Sequence, residues 1–185
     1  MVVVDVEATC WPKEEREQSA ETMEIIEIGA VLVDRSGRVI DEYSCLVMPT
    51  ENPTLSPFCS QLTGITQEMV SSAVPLSEAM PAFNDWVRAT GVTAWASWGK
   101  YDLHQFTFES ERKSVTTHLL ALPHLNLKRA WRRSTKARGQ ALLYALDHHG
   151  MTPTGQHHRG LDDAKNIVRL LPFINGESLI RELDE

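Results

Sequence analysis

The protein has 185 residues, of which 42% are hydrophobic and 23% charged, values typical of one globular domain. No apolar run approaches the ~18 residues that span a bilayer, and residues 1–5 lack the basic segment of a signal peptide. Three cysteines without a Cys-x-x-Cys pair argue against a disulfide framework and favour a reducing compartment. We therefore expect a single domain, residues 1–185, in the cytoplasm and without membrane association.

The net charge of −7 argues against a protein that coats long duplex nucleic acid through counterion release. A local exception is the basic run at residues 128–138, which has no acidic residue and contains Trp131. This run fits either a solvated helix face or a groove that follows a nucleic-acid backbone and stacks a base. The sequence leaves both interpretations open.

The order of the predicted elements indicates a mixed α/β fold. Residues 2–7 form an apolar, β-branched run typical of a buried strand, and residues 24–34 and 38–48 form a hairpin across Ser36 and Gly37. Prolines make residues 49–59 an irregular loop. A three-strand meander extended by crossover units predicts one mixed sheet. The later segments are a helix over 76–87 ended by Gly91, a strand over 92–98, a helix over 103–112, an apolar segment over 119–127, a helix over 140–149 and a helix over 161–171.

Asp5 and Glu7 follow the first strand's apolar run and are spaced by two. In a strand this spacing puts both carboxylates on one face. Two acids on one side of a buried strand repel each other unless a cation lies between them, and carboxylate oxygens are the ligands of hard divalent ions. The alternative is an ordinary polar strand end.

Two further acidic segments stand where helices begin. Asp102 follows a glycine turn, where it is either a functional carboxylate or a helix N-cap. Residues 157–163 (HHRGLDD) enter the last long helix, and two aspartates with two histidines exceed what capping requires. A zinc site built from His148, His149, His157 and His158 is a weaker alternative, because neighbouring side chains diverge.

Together, these segments would place four carboxylates and a histidine at one edge of an open sheet. That arrangement suits two-metal phosphoryl chemistry, in which paired ions stabilise the attacking and leaving oxygens. A histidine of ordinary pKa can take a proton from the attacking water. This convergence is an inference from the order and placement of the segments.

The motifs resemble those of the DEDDh 3′→5′ exonucleases. The family's first motif is matched by two segments, VDVEATCW at residues 4–11 and EIIEIGA at residues 24–30. LTGIT at residues 62–66 is similar to the family's loop after the third strand, Asp102 matches the second motif, and HRGLDDAKNI contains the third. The DxEATC form and SPFCSQLTGIT are most similar to the subgroup of the histone-mRNA and small-RNA 3′ exoribonuclease and the bacterial KapD-type proteins. The resemblance covers residues 2–172.

The resemblance implies a ribonuclease H-like fold, with a mixed five-stranded sheet whose second strand is antiparallel, flanked by helices. It implies two Mg²⁺ (or Mn²⁺) ions held by Asp5, Glu7, Asp102 and Asp163, with His158 as general base. The His-to-Asp gap in the third motif selects His158 over His157 and Asp163 over Asp162. The substrates implied are single-stranded RNA or DNA 3′ ends.

The resemblance also implies that the 3′-terminal nucleotide is held by the Glu7-Ala8-Thr9 backbone and by the loop containing Leu62 and Thr63. We also expect Phe58 and Tyr101 to stack on the terminal base, although both side chains would serve equally well as loop anchors. Met23 either contacts the base or begins the second strand.

Two other functions use the same residues. One is a regulatory or nucleic-acid-binding module on the same fold, against which the five retained polar groups argue. The other is a DNA proofreading exonuclease, which predicts a docking tail that the final residues are too few to identify. The sequence does not specify protein partners.

Overall fold

The computed structural model describes residues 1–183, so Asp184 and Glu185 of the predicted 1–185 domain lie outside the described residues. Its centre is one six-stranded sheet with the strand order β4-β3-β2-β1-β5-β6. Within residues 1–183, none of the helices has both the length and the apolar character needed to cross a bilayer. The strands are β1 (Val2–Ala8), β2 (Ile25–Val33), β3 (Val39–Met48), β4 (Val74–Pro75), β5 (Trp95–Ser97) and β6 (His124–Asn126).

The predicted meander and the antiparallel second strand are confirmed. Strand β2 is antiparallel to both β1 and β3, with Asp5 opposite Gly29 and Glu7 opposite Glu27. Strands β5 and β6 extend the sheet in parallel beyond β1. Strand β2 pairs with β1 along its whole length, whereas β5 pairs only with Val2 and Val3, so one edge of β1 is left without a strand partner beside Asp5 and Glu7.

The predicted count of five strands is wrong, because the sheet has six among the described residues. The additional strand is β4, only two residues long, which pairs in parallel with the end of β3 at Val47 and Met48. So short a segment has no readable alternation, and its proline is tolerated because the strand lies at the sheet edge. Residues 49–59 are also not wholly irregular, since Pro57 occupies the first turn of a short helix capped by Ser56.

Helices cover both faces of the sheet and bury two large apolar cores, and a third, smaller core lies around Ile26, Cys59 and Ile65. One core joins β1, β5 and β6 to the last long helix through residues such as Val3, Ala96 and Ile167. The other packs Phe83 and Phe106 beneath β1 and β2. The helices are α1 (Pro57–Thr63), α2 (Gln67–Ser71), α3 (Leu76–Thr90), α4 (Tyr101–Lys113), α5 (Leu127–Thr135), α6 (Leu142–His148), α7 (Gly160–Val168) and α8 (Gly176–Leu183), and 3-10 turns cover His118–Ala121 and Leu171–Phe173.

Trp131 corrects one interpretation of the basic run. Its side chain is fully buried in the first core, where its ring lies beside Trp98 and its indole N–H donates to His149. A buried indole cannot stack on a nucleotide base. The aromatic residue of the run therefore anchors α5 to the domain.

Helix α7 approaches the sheet through two glycines without side chains. A Cβ built on Gly29 would lie 2.0 Å from the Gly160 carbonyl carbon, and one built on Gly160 would lie 2.7 Å from the Asp5 carbonyl oxygen. Neither gap admits a methyl group. The first turn of α7, which carries Asp163, can therefore reach β1 only because both positions are glycine.

We predict that Gly29→Ala is strongly destabilising, because the methyl group would collide with backbone rather than with a flexible side chain. The expected loss is about 2–4 kcal/mol in the free energy of urea-induced unfolding. Gly176→Ala is the matched control, since a Cβ there meets nothing within 4 Å. Equal stability of the two variants would contradict the proposed close packing of α7.

Candidate active site

Three carboxylates from two separate segments meet at the carboxyl end of β1. Asp5 and Glu7 project from the same face of β1, as their spacing predicts, and Asp163 joins them from the first turn of α7. Their ligand oxygens all lie within 4.8 Å of one another. Glu7 and Asp163 are buried, whereas Asp5 is half-buried. The polar-strand-end alternative does not account for a third acid in this position.

Asp102 reaches the same cleft from α4 and does not cap that helix. The N-cap position is Lys100, and the Asp102 side chain is buried with its Oδ1 atom 3.0 Å from the backbone N–H of Val6. This hydrogen bond ties the acid to the middle of β1, between Asp5 and Glu7. The capping interpretation of Asp102 is therefore wrong.

Crowding and burial make these acids difficult to ionise. Burial, reinforced by the charges of Asp102, Glu7 and Asp163, raises the pKa of Asp5 well above its ordinary value. Burial and the charges of Asp163 and Glu27 raise the pKa of Glu7 to about 9. Burial also raises the pKa of Asp102 to about 6, although hydrogen bonds from Val6 and Ser97 oppose the shift. Full ionisation of the cluster therefore requires a compensating positive charge.

The donor set fits a hard divalent cation. It consists of carboxylate oxygens, which Mg²⁺ and Mn²⁺ favour, and an ion among them would remove the repulsion that raises these pKa values. The four-histidine zinc alternative is not supported, because among residues 1–183 only His157 and His158 of that set join a possible metal-binding group, which they form with Asp163. His149 instead stacks on Phe173 with ring centroids 3.6 Å apart.

Both histidines of the third motif lie at this cleft. His157 Nδ1 is 2.9 Å from Asp163 Oδ2, and the backbone N–H of His158 donates to the same oxygen at 2.9 Å. The backbone of His158 adopts a left-handed conformation, with φ of 63°. Burial and the neighbouring His157 lower the pKa of His158, which favours its neutral imidazole. A neutral imidazole is the form that can accept a proton.

Two hydrogen bonds made by Gln156 hold the histidine loop in place. Asp162 accepts a hydrogen bond from the backbone N–H of Gln156 at 2.8 Å, and the Gln156 side chain donates to the Thr63 carbonyl oxygen at 3.1 Å. Gly64 leaves room for that amide, because a Cβ there would lie 2.2 Å from Gln156 Nε2. The loop carrying His158 is thus joined to the LTGIT loop across the cleft.

An ion pair that sequence reasoning missed supports the start of α7. Glu27 on β2 is buried and accepts hydrogen bonds from the Arg159 guanidinium and, at 2.8 Å, from the Gly160 backbone N–H. The two residues are far apart in sequence, and EIGA alone does not indicate a partner. The pair fixes the backbone immediately before Asp163, so Glu27 and Arg159 are positioning residues.

The carboxylates open into a cleft of about 470 Å³. Of the expected nucleotide contacts, Ala8, Met23, Leu62 and Tyr101 line it together with the acids and both histidines. The other three lie elsewhere. Thr9 is buried and accepts from the Glu24 N–H, the Thr63 hydroxyl donates to the Cys59 carbonyl, and Phe58 is partly exposed on α1. A substrate contact by these three stays a prediction.

The cleft also has lining residues that the motifs do not contain. Trp98 and Leu142 form part of the wall, and Cys10 and Gln18 complete the opposite side. The Trp98 indole N–H donates to the Gln140 carbonyl at 2.9 Å, which holds the segment before α6 against the cleft. No local pattern indicates this contact, because it joins segments about forty residues apart.

The raised pKa of Glu7 predicts a pH-dependent instability of the metal-free protein. Above about pH 4.5 the unfolded chain loses the Glu7 proton, whereas the folded chain keeps it until about pH 9, so the folded state loses stability as the pH rises between these values. In a chelator, Glu7→Gln should unfold like the parent near pH 4 and be more stable at pH 8, by about 1 kcal/mol or more. Urea unfolding at both pH values measures this difference.

Glu14→Gln, at an exposed position in the loop after β1, is the control and should follow the parent at every pH. Millimolar Mg²⁺ should stabilise the parent more than Glu7→Gln, because an ion that binds only the folded state adds to its stability. If the parent and Glu7→Gln kept the same stability difference from pH 4 to pH 8, Glu7 would not lie in a repulsive cluster.

Comparison with known proteins places this arrangement in a family. The exonuclease family model RNase_T matches residues 2–171. The chain is 33% identical to the 3'-5' exonuclease Snipper of Drosophila melanogaster, over 92% of this chain and 67% of that protein. It is 34% identical to ERI1 exoribonuclease 2 of Danio rerio, over 92% of this chain. The alignment spans only 34% of that longer relative.

Solved structures agree in fold. The nuclease domain of 3'hExo, a DEDDh family member bound to rAMP, superposes with a TM-score of 0.82 at 28% identity, over 92% of this chain and 90% of that domain. The 3'-exonuclease that recognises the histone mRNA stem-loop superposes with a TM-score of 0.83 at 27% identity, over 92% of this chain and 80% of that one. The match to the family model extends through nearly the whole chain. The chain belongs to the DEDDh 3′→5′ exonuclease family, whose members depend on divalent metal ions.

Proposed function

We propose that the chain is a 3′→5′ exonuclease that releases nucleoside 5′-monophosphates from single-stranded 3′ ends, with RNA as its main substrate. The observation that carries the proposal is the convergence of Asp5, Glu7, Asp102 and Asp163 with a histidine loop in one cleft. The preference for RNA is supported by the names of several relatives, which are exoribonucleases. A purely binding module would not need this group of mutually repelling acids.

In this proposal the four carboxylates hold two Mg²⁺ (or Mn²⁺) ions. When bound, such ions supply the positive charge that activates water and stabilises the leaving oxygen. His158 accepts the proton of the attacking water, a role suited to a neutral imidazole on a partly buried loop. The link from Asp162 to Gln156 holds that loop in place, and Glu27 with Arg159 holds Asp163.

The 3′-terminal nucleotide would occupy the cleft beside Ala8. Leu62 and Tyr101 are partly exposed there and offer apolar surface for the base and sugar, while Met23 forms the buried floor. Stacking on an aromatic side chain such as Tyr101 is worth ~1–3 kcal/mol per base and tolerates any base. The cleft would therefore select a free 3′ end without a strict sequence requirement.

The same proposal treats residues 1–185 as a single exonuclease domain. It is supported by the two large cores of residues 1–183, which pack against opposite faces of one sheet. A cytoplasmic location fits the three free cysteines. No protein partner is assigned.

We expect a 5′-labelled single-stranded 20-mer to shorten one nucleotide at a time in Mg²⁺ and to release 5′-monophosphates. In-line attack by water on the terminal phosphodiester leaves the 3′ oxygen on the shortened strand, so each product is a new substrate. Denaturing electrophoresis of RNA and DNA 20-mers measures the products and the preference between the two sugars. A circular single strand is the control, and its cleavage would contradict an exonuclease.

His158→Ala should lower the turnover rate roughly 10²–10⁴-fold, the usual effect of a positioned acid–base group. His157→Ala should cause a much smaller loss, although its imidazole contacts Asp163. Both variants should keep the Mg²⁺-induced rise in melting temperature, which separates proton transfer from metal binding. Equal losses of rate at the two positions would contradict the assignment of His158 as the general base.

A further inference from the structure

Helix α5 has two basic faces with different surroundings. Arg129 and Arg133, one turn apart, both form ion pairs with Glu182 of α8. Glu182 is buried, and Arg129 binds its two carboxylate oxygens at 2.7–3.0 Å. This face is neutralised within the protein and joins α5 to α8. It is therefore not available to a ligand.

The other face of α5 carries cations that lie outside the ion pairs with Glu182. Lys128 and Arg132 are also one turn apart, Lys136 ends the helix in a left-handed conformation, and Arg138 follows it. Arg132, Lys136 and Arg138 are exposed, and within residues 1–183 none of the three has an acidic partner within ion-pair distance. We call Lys128, Arg132, Lys136 and Arg138 the α5 track.

The α5 track begins at the active-site cleft. A Cβ built on Gly99 would lie 2.9 Å from Lys128 Nζ, and Gly99 stands in the chain between Trp98 and Tyr101, which line the cleft. The segment that follows the track returns to the cleft, because the Gln140 carbonyl binds the Trp98 indole and Leu142 lines the same wall. The track therefore starts close to the metal-binding acids and ends just before the segment that lines the Trp98 and Leu142 side of the cleft.

The segment that carries the track has no acidic residue of its own. Residues 112–146 contain no aspartate or glutamate, in a protein of net charge −7. The excess negative charge lies elsewhere and would repel a polyanion from the rest of the surface. A strand of phosphates is thereby steered toward the exposed cations of the track.

We propose that the α5 track binds the phosphates of the single-stranded nucleic acid upstream of the nucleotide in the cleft. The inference rests on the proposed exonuclease function and adds the route by which the strand leaves the site. Successive cations one helical turn apart rise about 6 Å along the axis, a spacing suited to the backbone of an extended strand. Because the contacts are to phosphate, the track binds without reading sequence.

The test compares two triple variants with the same change in charge. Arg132→Gln, Lys136→Gln and Arg138→Gln together neutralise the outer part of the track and leave Lys128 beside the acids intact. The matched control is Arg35→Gln, Arg38→Gln and Arg88→Gln, which removes three exposed cations from the opposite end of the sheet. Binding of a 5′-fluorescein single-stranded 20-mer is measured by anisotropy from 50 to 300 mM KCl, with Ca²⁺ in place of Mg²⁺.

The track triple should bind the 20-mer on the order of tenfold more weakly at 50 mM KCl, with a log–log salt slope smaller by about 2. The control should match the parent. In Mg²⁺, the track triple should raise KM for the 20-mer and leave kcat/KM for a dinucleotide unchanged, because two nucleotides do not reach past Lys128.

Binding equal to that of the control triple, or a loss seen with a blunt duplex and not with the single strand, would overturn the proposal. A parent that binds the 20-mer through the track but releases no nucleotide would contradict the exonuclease function alone. The two failures are therefore distinguishable.

Discussion

Mutual repulsion among the carboxylates at the end of β1 is the constraint around which this domain is built. Asp5, Glu7 and Asp163 bring their oxygens within 4.8 Å of one another, and Asp102 reaches the same cleft. Like charges at such distances raise carboxylate pKa values and oppose folding at neutral pH. The scaffold holds them together by burying β1 between two strands and two apolar cores.

Three contacts fix the geometry against this repulsion. The glycine pair Gly29 and Gly160 lets α7 approach the sheet, and the buried ion pair of Glu27 with Arg159 holds the backbone that precedes Asp163. The hydrogen bond from the Val6 backbone holds Asp102. The two glycines, Glu27, Arg159 and the Val6 backbone take no part in the proposed reaction. They keep the acids close together, at a spacing where a divalent ion would reduce their repulsion.

The distribution of charge follows the same logic on a larger scale. Acidic residues lie in the cleft and along the rest of the chain, whereas the segment from residue 112 to residue 146 has none. Some of its cations are used structurally, as Arg133 is by Glu182, and others are left exposed. A domain with a net negative charge can in this way bind a polyanion along a single route.

The part of this organisation that is local was predictable from the sequence. The alternation of a strand places Asp5 and Glu7 on one face, and the β2–β3 hairpin follows from Ser36 and Gly37. The convergence of Asp102 and Asp163 on that face was only an inference from the order of the segments and from family resemblance, because residues 97 and 158 positions after Asp5 reach it through tertiary packing. Glu27 with Arg159 and Trp98 with Gln140 are contacts of the same kind. The burial of Trp131 and the pairing of Arg133 were also hidden, since a basic run does not reveal which of its faces is occupied.

The most direct test of the account is calorimetric titration with Mn²⁺ at pH 7.5, in the parent and in Asp163→Asn. Mn²⁺ takes the same oxygen ligands as Mg²⁺, and its binding does not depend on turnover. The account predicts that about two ions bind each parent chain and displace protons from the carboxyl groups, so that the observed binding enthalpy changes with the ionisation enthalpy of the buffer. In Asp163→Asn, at least one ion should be lost or bound at least tenfold more weakly. A parent that binds no Mn²⁺, or an Asp163→Asn variant that binds it with unchanged stoichiometry and affinity, would contradict the metal site.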